Sequence, residues 1–319
     1  MITLYTLKTN LANKNNYGST RLPSVIKFIV IHYTSNDGDT DENNGKYFHN
    51  NVVNASAHYF VDSDSITQSV PDNYVAYSVG GKKYNNGGGE FYSKCINYNS
   101  LSIELCDDLK NTVIYPTQET INNAIEFTKT KMVQYEINKN HVIRHYQVNG
   151  KPCPVYWVDN SKWKTEFHNK LQGWTRYNDK WYWLDSNGNV VKNSWIQDKN
   201  KWYHLSPTGV MDTNNWIKNS SNTWSYVNNK GEAVVGWHNL SWKNIKSWYY
   251  FDKNGIMISS KWVKDKGKDY YLTSSGSMAT NSYIKSTSSS VYYWVGADGA
   301  WQPEWNTNTP DLKKYKVVK

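Results

Sequence analysis

An aromatic repeat that begins after residue 171 places the strongest constraint on how this chain can fold. Counted from the Trp or Tyr that opens each unit, the intervals are 21, 21, 21, 25 and 21 residues. A unit this short cannot bury a core by itself, so consecutive units must stack into a solenoid. The opening residues are Trp174, Trp195, Trp216, Trp237, Trp262 and Tyr283.

Each unit has the pattern of one β-hairpin. An aromatic strand is followed by a polar turn, a second strand with a triplet such as WYW or WYY, and a turn with glycine. We therefore predict an all-β solenoid of stacked hairpins over residues 172–319, with about six repeats and a C-terminal tail. Pro303 and Pro310 break the repeat in this tail, which is either a closing hairpin or a contact for a homodimer.

Residues 1–171 have a different pattern, which is typical of an α/β domain with a central mixed sheet and flanking helices. Short apolar runs predict buried strands, and apolar residues at helical spacing predict helices. The predicted elements are strands at 26–33 and 100–106, a hairpin formed by 56–62 and 65–70, and helices at 41–51, 117–138 and 159–171.

Composition separates the same two halves. Of the 16 Trp, 14 follow residue 171, and Lys and Arg exceed Asp and Glu by one before that residue but by eight after it. A basic surface suits an anionic polymer, either nucleic acid or teichoic acid. Teichoic acid suits an aromatic array better, so we expect no nucleic-acid partner.

Cysteine usage and the first residues bear on the compartment. Three cysteines are an odd, sparse set, which favours reduced thiols or a metal ligand over a disulfide framework. The start, MITLYTLKTN, lacks the charged-then-apolar pattern of a secretory signal, and no apolar run reaches the roughly 18 residues of a membrane helix. We expect synthesis in the cytoplasm without a signal peptide, no membrane span, and access to any extracellular target by another route.

Three side chains in the first half have the chemistry of a metal site. His32 ends a predicted buried strand, and His145 and Cys153 lie in the segment RHYQVNGKPCP. Two neutral imidazoles and a thiolate suit Zn²⁺ and leave a fourth position for water. Taken singly, each has a simpler interpretation, as a hydrogen-bonded histidine at a strand end or a small buried thiol.

Four motifs that occur in order over about residues 20–170 favour the metal site. They are VIHYT, SAHYFVD, SIELC and the pattern HxxxxxKxCP that starts at His145. With these motifs the chain resembles the phage-type N-acetylmuramoyl-L-alanine amidases, relatives of the peptidoglycan recognition proteins. The resemblance implies a zinc-dependent hydrolase that cleaves the amide bond between N-acetylmuramic acid and L-alanine in peptidoglycan. It also implies His32, His145 and Cys153 as zinc ligands, and Glu104 and Lys151 as catalytic residues.

The chemistry of amide hydrolysis agrees with these implied roles. Zinc lowers the pKa of a bound water to about 7 and polarises the carbonyl. Glu104 on a buried strand is expected to have a raised pKa, which suits it to take the proton of water and return it to the leaving amine. Lys151 can hydrogen-bond the developing oxyanion.

Two other interpretations stay open at this point. One is a non-catalytic protein that binds peptidoglycan or the cell wall, in which Glu104 is an ordinary strand carboxylate. The other is an endopeptidase or a glycosidase, although a glycosidase needs two opposed carboxylates and only Glu104 stands out. The full set of metal and catalytic residue types argues against pure binding.

The repeats resemble choline-binding repeats of the kind found in the major pneumococcal autolysin. Three aromatic rings that meet at a junction form an electron-rich cage for a quaternary ammonium. The resemblance implies docking on the choline of (lipo)teichoic acid, with two rings from one hairpin and a third from the next. The predicted complete cages are Trp195, Trp202 and Tyr226; Trp216, Trp224 and Tyr250; and Trp237, Trp248 and Tyr271.

Two further junctions are predicted to be incomplete. Trp174 and Trp181 meet His204 as a weaker third wall, and Asp269 replaces the expected Trp in the fifth unit, which leaves Trp262 with Trp294. The alternative is that these rings pack between hairpins or form a dimer surface. Together the two halves predict an endolysin or autolysin that acts at the bacterial cell wall after release.

Overall fold

The chain is described by a computed structural model that covers residues 5–110 and 113–318. Its contacts divide the chain into two compact units, Met1–Lys192 and Asn193–Lys319. Across the residues described, no helix combines the length and the apolar character that crossing a bilayer requires. All three cysteines are free and buried.

The first unit contains helices and strands that alternate along the chain. Within its described residues the helices are α1 Asp41–Asn50, α2 Gln118–Tyr135, α3 His145–Asn149 and α4 Asn160–Glu166. The strands are β1 Thr6–Thr9, β2 Tyr17–Thr20, β3 Phe28–Tyr33, β4 Tyr59–Val61, β5 Ser65–Gln68, β6 Tyr74–Ala76, β7 Ser100–Leu105, β8 Val142–Arg144, β9 Gly173–Tyr177 and β10 Lys180–Leu184.

A six-stranded mixed sheet forms the centre of this unit, in the order β1-β5-β4-β7-β3-β8. Strands β4, β7, β3 and β8 are parallel to one another, and β4 forms an antiparallel hairpin with β5. Strands β2 and β6 form a separate small sheet. The mixed sheet with flanking helices confirms the predicted α/β class, and the predicted hairpin at 56–70 is confirmed as well.

Two predicted helices end earlier than their sequence pattern indicates. The Thr117 side chain caps α2 by accepting a hydrogen bond from the Thr120 amide. The helix ends at Tyr135 because Glu136 adopts a left-handed conformation, with φ of 51°, and its amide bonds back into the last turn. The last predicted helix is shortened to α4, because Phe167 leaves the helical conformation.

One face of the sheet packs against α2 and α4. Side chains of β3, β7 and both helices meet there in one apolar cluster, which includes Ile31, Ile103 and Phe167. The other face carries a smaller cluster around Val30 and Val148. Strand β3 is therefore covered on both faces, which explains its nearly unbroken apolar sequence.

The first hairpin of the repeat, β9 with β10, packs on the α/β domain and lies in the first unit. Leu184 is buried in the same apolar cluster as α2 and α4. The Thr130 hydroxyl donates to the carbonyl of Arg176 at 3.1 Å, and the Lys139 amide donates to the carbonyl of Asn187 at 3.0 Å. The domain boundary predicted after residue 171, where the repeat starts, stays a prediction. The first compact unit extends to residue 192 and therefore includes the first hairpin.

Five further hairpins form the second unit. Each pairs two consecutive strands antiparallel, and this stack confirms the predicted solenoid of hairpins. The strands are β11 Ser194–Asp198, β12 Lys201–Leu205, β13 Asn215–Lys218, β14 Trp224–Val227, β15 Gly236–Trp242, β16 Ile245–Phe251, β17 Lys261–Asp265, β18 Lys268–Leu272, β19 Ser282–Lys285, β20 Tyr292–Val295 and β21 Lys316–Val318.

The recurring glycine allows neighbouring units to stack closely. Gly276 has φ of +82°, and a Cβ there would lie 2.4 Å from the sulfur of Met257 in the preceding unit. No other residue combines this conformation with so close an approach. The same contact recurs between Gly231 and Met211 and between Gly299 and Met278.

The tail folds back onto the sixth hairpin. Strand β21 pairs parallel with β19, which makes a three-stranded sheet with β20. The ring of Tyr315 lies 4.6 Å from that of Trp294. The tail is thus a third strand of its own chain, and a homodimer contact through it stays a prediction.

The packing of the first hairpin predicts which core substitutions weaken the α/β domain. Leu184→Ala should lower the free energy of unfolding of that domain by about 2–5 kcal/mol, because it opens a cavity in the shared core. Leu205 is equally buried at the equivalent position of the second hairpin, so Leu205→Ala is the matched control. Hydrogen-exchange mass spectrometry of β3 and β7 should show faster exchange only for Leu184→Ala. Equal exchange in both variants would contradict the inclusion of the first hairpin in this core.

Candidate metal centre and aromatic sites

The parallel strands of the sheet bring three candidate residues to one edge. His32 and Glu104 lie beside each other in the register of β3 and β7. Ile31 pairs with Arg144, the last residue of β8, so His145 follows at the same edge. Carboxyl ends of parallel strands meet at one edge of a sheet, which is where open α/β sheets place their ligands.

His32, His145 and Cys153 come together at this edge. Their ligand atoms all lie within 4.8 Å of one another, and all three side chains are buried. The Cys153 sulfur is 3.8 Å from Nδ1 of His32. Among residues 5–110 and 113–318, Nε2 of His32 and both ring nitrogens of His145 have no hydrogen-bond partner. Buried polar atoms without partners are costly, so this cluster has the character of a site that a cation completes.

Burial also sets the charge state of these donors. It lowers the pKa of His32 well below its usual value and that of His145 to about 4, which favours the neutral imidazoles that bind metals. Burial raises the pKa of the Cys153 thiol well above its usual value, so a thiolate needs a cation beside it. Two imidazoles and one thiol fit a tetrahedral zinc site with one open position.

Glu104 and Lys151 lie next to this cluster. Oε1 of Glu104 is 3.7 Å from Nδ1 of His32, and Oε2 is buried with no hydrogen-bond partner in the described part of the chain. Burial raises the pKa of Glu104 to about 8, although the nearby charge of Lys151 opposes this shift. Lys151 is exposed, and its backbone amide donates to the Asn149 side chain at 3.0 Å. The catalytic roles of both residues stay predictions.

Two grooves meet at Lys151. The first has a volume of about 650 Å³ and runs from Glu104 along the loop after β3 and α1. The second has a volume of about 440 Å³, and its lining includes His145 and Tyr84. Of the metal-type cluster, His145 lines the second groove, and the neighbouring Glu104 lines the first.

In the repeats, strand alternation decides which aromatic rings share a face. Successive residues of a strand face opposite sides, so the first and third residues of a triplet face one side and the middle residue faces the other. The ring of Trp216 lies 5.3 Å from Tyr226 of its own hairpin and 5.0 Å from Tyr249 of the next. Trp237 has the same two neighbours, Tyr250 at 5.2 Å and Tyr270 at 5.1 Å.

This arrangement corrects the third wall of each predicted cage. Tyr226, Tyr250 and Tyr271 lie directly opposite the first Trp of their own hairpins. The residue that approaches from the next hairpin is instead the middle one of the triplet. The alternation of side chains along a strand, which is readable from the sequence, identifies the middle residue of the triplet as the wall contributed by the next hairpin. Our prediction named the third residue instead.

The junction of Trp195 and Trp202 therefore receives no ring from the third triplet. The middle residue there is Ser225, which is buried and accepts a hydrogen bond from Asn219 at 3.1 Å. Asn219 in turn accepts a hydrogen bond from the Trp195 indole at 2.9 Å. Polar side chains take the place that a tyrosine has at the following junctions.

The junction of Trp216 and Trp224 is filled by a ring that our sequence analysis missed. The 25-residue interval lengthens the fourth hairpin and brings Trp242 to 5.0 Å from Trp216 and 4.5 Å from Trp224. The Trp216 indole donates to the carbonyl of Ser241 at 3.0 Å. The 25-residue interval in the sequence indicates this longer hairpin. Its Trp242 fills the space at the junction between Trp216 and Trp224.

At the two junctions predicted to be incomplete, the aromatic rings also have neighbours other than the predicted ones. The rings of Trp174 and Trp181 lie 6.4 Å apart on the first hairpin. His204 lies against Trp195 of its own hairpin, at 5.1 Å, and its Nδ1 is 2.7 Å from the Asp212 carboxylate. In the fifth unit Trp262 has Tyr293 and Trp301 as neighbours, at 6.0 and 6.4 Å, in place of the predicted Trp294.

Comparison with known proteins agrees with both halves of this structure. The family described as N-acetylmuramoyl-L-alanine amidase matches residues 22–156. A choline-binding repeat matches residues 261–301, and a cell wall binding repeat matches residues 172–190, 193–211 and 236–257.

Individual relatives cover the chain only in part. N-acetylmuramoyl-L-alanine amidase CwlL of Bacillus licheniformis is 34% identical over 46% of this chain and 41% of its own length. N-acetylmuramoyl-L-alanine amidase BlyA of Bacillus subtilis strain 168 is 30% identical over 46% of this chain and 41% of its own length. The chain thus spans less than half the length of these two relatives. A solved mutant endolysin from Bacillus subtilis is 24% identical, covers 51% of this chain and 96% of its own, and has a TM-score of 0.41.

The family matches and the fold agree in order and position along the chain. The amidase match begins before β3 and extends past Cys153, so it contains the whole metal-type cluster. The repeat matches fall on the hairpins. The chain therefore contains an α/β domain that matches the N-acetylmuramoyl-L-alanine amidase family over residues 22–156, followed by hairpins that match choline-binding and cell wall binding repeats.

Proposed function

We propose that this chain is a peptidoglycan hydrolase of the endolysin or autolysin kind, which cleaves the amide bond between N-acetylmuramic acid and L-alanine. Its repeats hold it on the choline groups of wall teichoic or lipoteichoic acid. The observation that carries the proposal is the buried cluster of His32, His145 and Cys153, with unpartnered nitrogen atoms, beside Glu104. A purely binding protein has no need of such a cluster.

Zinc is the ion that this cluster fits best. Its donors are two neutral imidazoles and a thiol, the ligand types that zinc takes in proteins. When bound, zinc supplies a Lewis acid for the scissile carbonyl and lowers the pKa of water to about 7. Each histidine would offer one ring nitrogen to the ion, and His145 has two ring nitrogens free for this role among the described residues.

Glu104 and Lys151 supply proton transfer and charge stabilisation. The raised pKa of Glu104 suits its carboxylate to accept a proton from the attacking water and then to deliver it to the leaving amine of L-alanine. Lys151 lies where the two grooves meet, so its ammonium can donate a hydrogen bond to the amide oxygen as negative charge develops.

The two grooves match the shape of this substrate. The bond to be cleaved joins a sugar chain to a peptide, so the substrate extends in two directions from the reacting carbon. Lys151 lines both grooves, while Glu104 lines the first and His145 the second. One groove therefore accommodates the glycan and the other the peptide, with the amide at the cluster.

The open cage that we propose for choline combines Trp237 and Tyr270 with Trp248, which pairs with Asn239 and so faces the same side of the hairpin as Trp237. Trp237 and Tyr270 lie 5.1 Å apart, and 43% of the Trp248 surface is exposed. A cation–π contact contributes about 0.5–2 kcal/mol, so firm retention on the wall requires several sites together. The net charge of +8 after residue 171 adds attraction to anionic polymers, which salt screens.

Two buried cysteines provide a matched test of the metal site. Cys153→Ser should lose zinc on dialysis, because a hydroxyl is a far weaker zinc ligand than a thiolate. Cys95 is also buried and free but lies outside the cluster, so Cys95→Ser should keep its zinc. Zinc per chain is measured by inductively coupled plasma mass spectrometry. Equal zinc content in the two variants would refute the ligand assignment.

A second test separates catalysis from binding. Glu104→Gln should retain zinc but release new L-alanine amino termini from cell walls about 10²- to 10⁴-fold more slowly, because it removes the proton acceptor. The control is Glu119→Gln, which changes an exposed glutamate of α2. New reducing sugars in place of amino termini would indicate a glycosidase, and a normal rate for Glu104→Gln would exclude the proposed base.

A third test addresses the open cage. Trp248→Ala should lower the choline concentration that elutes the protein from a quaternary-amine resin, since one ring of the cage is lost. Trp305 is 62% exposed and belongs to none of the cages, so Trp305→Ala should elute like the unchanged protein. Identical elution of both variants would remove the support for this cage.

A further inference from the structure

The fifth hairpin carries an aromatic pocket with a carboxylate in it. Asp269 stands where the first four hairpins have a Trp as the first residue of the triplet. Trp301 stands where the preceding units have a smaller side chain: Val295 pairs with Trp301 as Leu272 pairs with Met278. An indole is thus missing at one position of the junction and present at another.

Four aromatic rings line this pocket: Tyr271 and the three mutually inclined rings of Trp262, Tyr293 and Trp301. Their centroids are separated by 6.0 Å between Trp262 and Tyr293, 6.4 Å between Trp262 and Trp301, and 6.1 Å between Tyr293 and Trp301. The ring planes are inclined to one another by 89°, 64° and 85° respectively, so the rings form walls and do not stack. The pocket has a volume of about 630 Å³, and Asp269 lines it with the three rings.

The walls are held in place by hydrogen bonds outside the pocket. The Trp301 amide donates to the carbonyl of Asp269 at 2.8 Å, which ties the two residues together through the backbone. The Trp301 indole donates to the Asn306 side chain at 3.1 Å, and the same oxygen accepts the Trp294 amide at 3.2 Å. Trp262 and Trp301 remain 38% and 36% exposed, so a ligand reaches them without rearrangement.

The Asp269 carboxylate is accessible to such a ligand. Within the part of the chain that the structure describes, Asp269 forms an ion pair with Lys264 across the hairpin, at 3.7 Å, and the side chains of Asp269 and Lys264 are 31% and 70% exposed. An exposed pair at this distance contributes little, so a ligand can replace it. Lys261 and Lys285 also line the pocket, and their positive charges weaken its net attraction for cations. Recognition of a cation therefore depends on direct contact with the Asp269 carboxylate and the rings.

We propose that this Asp269 pocket binds an ammonium group that keeps at least one N–H, in preference to a quaternary ammonium. Aromatic walls attract either cation through their faces. Only an N–H can also donate a charge-assisted hydrogen bond to the carboxylate, at about 2.7–2.9 Å, whereas methyl groups on every side hold a quaternary nitrogen farther away. The ligand class is therefore a protonated primary, secondary or tertiary amine, and the inference rests on the proposed role of the repeats in binding amine groups of the wall.

The test compares two ligands that differ by one methyl group, choline and N,N-dimethylethanolamine. The full chain is labelled with ¹⁵N-tryptophan, and Trp301→Phe and Trp248→Phe assign the two indole signals. At the Trp301 signal, dimethylethanolamine should bind about three- to tenfold more tightly than choline. At the Trp248 signal, which reports a cage of rings alone, that preference should be absent.

Asp269→Asn keeps the size of the side chain and removes its charge. In this variant the preference at the Trp301 signal should fall to the ratio seen at Trp248. Choline binding at Trp301 as tightly as dimethylethanolamine, an unchanged ratio in Asp269→Asn, or a silent Trp301 signal would each overturn the inference. A silent Trp248 signal with a responsive Trp301 signal would instead count against the proposed choline cage and leave this pocket standing.

Discussion

The parallel register of β3 with β7 and β8 is the constraint on which the α/β domain and its metal-type cluster depend. It sets His32 beside Glu104 and brings His145 to the same edge of the sheet. Because β3 is covered on both faces, the polar side chains at this edge of the sheet are buried. Burial lowers the pKa of His32, which keeps its imidazole neutral, and raises the pKa of Glu104. The same strand pairing that builds the core thus prepares the chemistry at its end.

A second constraint, the alternation of residues along each strand, governs the repeats. It places the third residue of a triplet opposite the opening aromatic residue of its own hairpin and turns the middle residue toward the preceding hairpin. Each junction then differs by a single side chain: Ser225 where a ring is absent, Trp242 where the space is filled, and Asp269 with Trp301 where an indole has changed position. A regular backbone therefore presents chemically different sites along one array.

The first hairpin shows that a sequence repeat and a packing unit need not coincide. Its sequence belongs to the repeat, yet Leu184 completes the apolar cluster of the α/β domain. Gly188 has φ of +77°, and a Cβ there would lie 2.5 Å from a methyl group of Met132 in α2. The close approach to Met132 requires glycine at this position. In the later repeats the equivalent glycine allows neighbouring hairpins to stack on one another.

The sequence by itself determined the α/β class, the hairpin solenoid and the residue types of the metal cluster, because strand and helix periodicities and the 21-residue interval are local patterns. It also indicated His32, His145, Cys153, Glu104 and Lys151 through motifs that lie far apart along the chain. Only the tertiary structure decided which aromatic rings face one another, since neighbours across a junction depend on strand register and on how closely units stack. Trp242 and Trp301 acquire their places in this way, because the contacts that define them join residues from different hairpins.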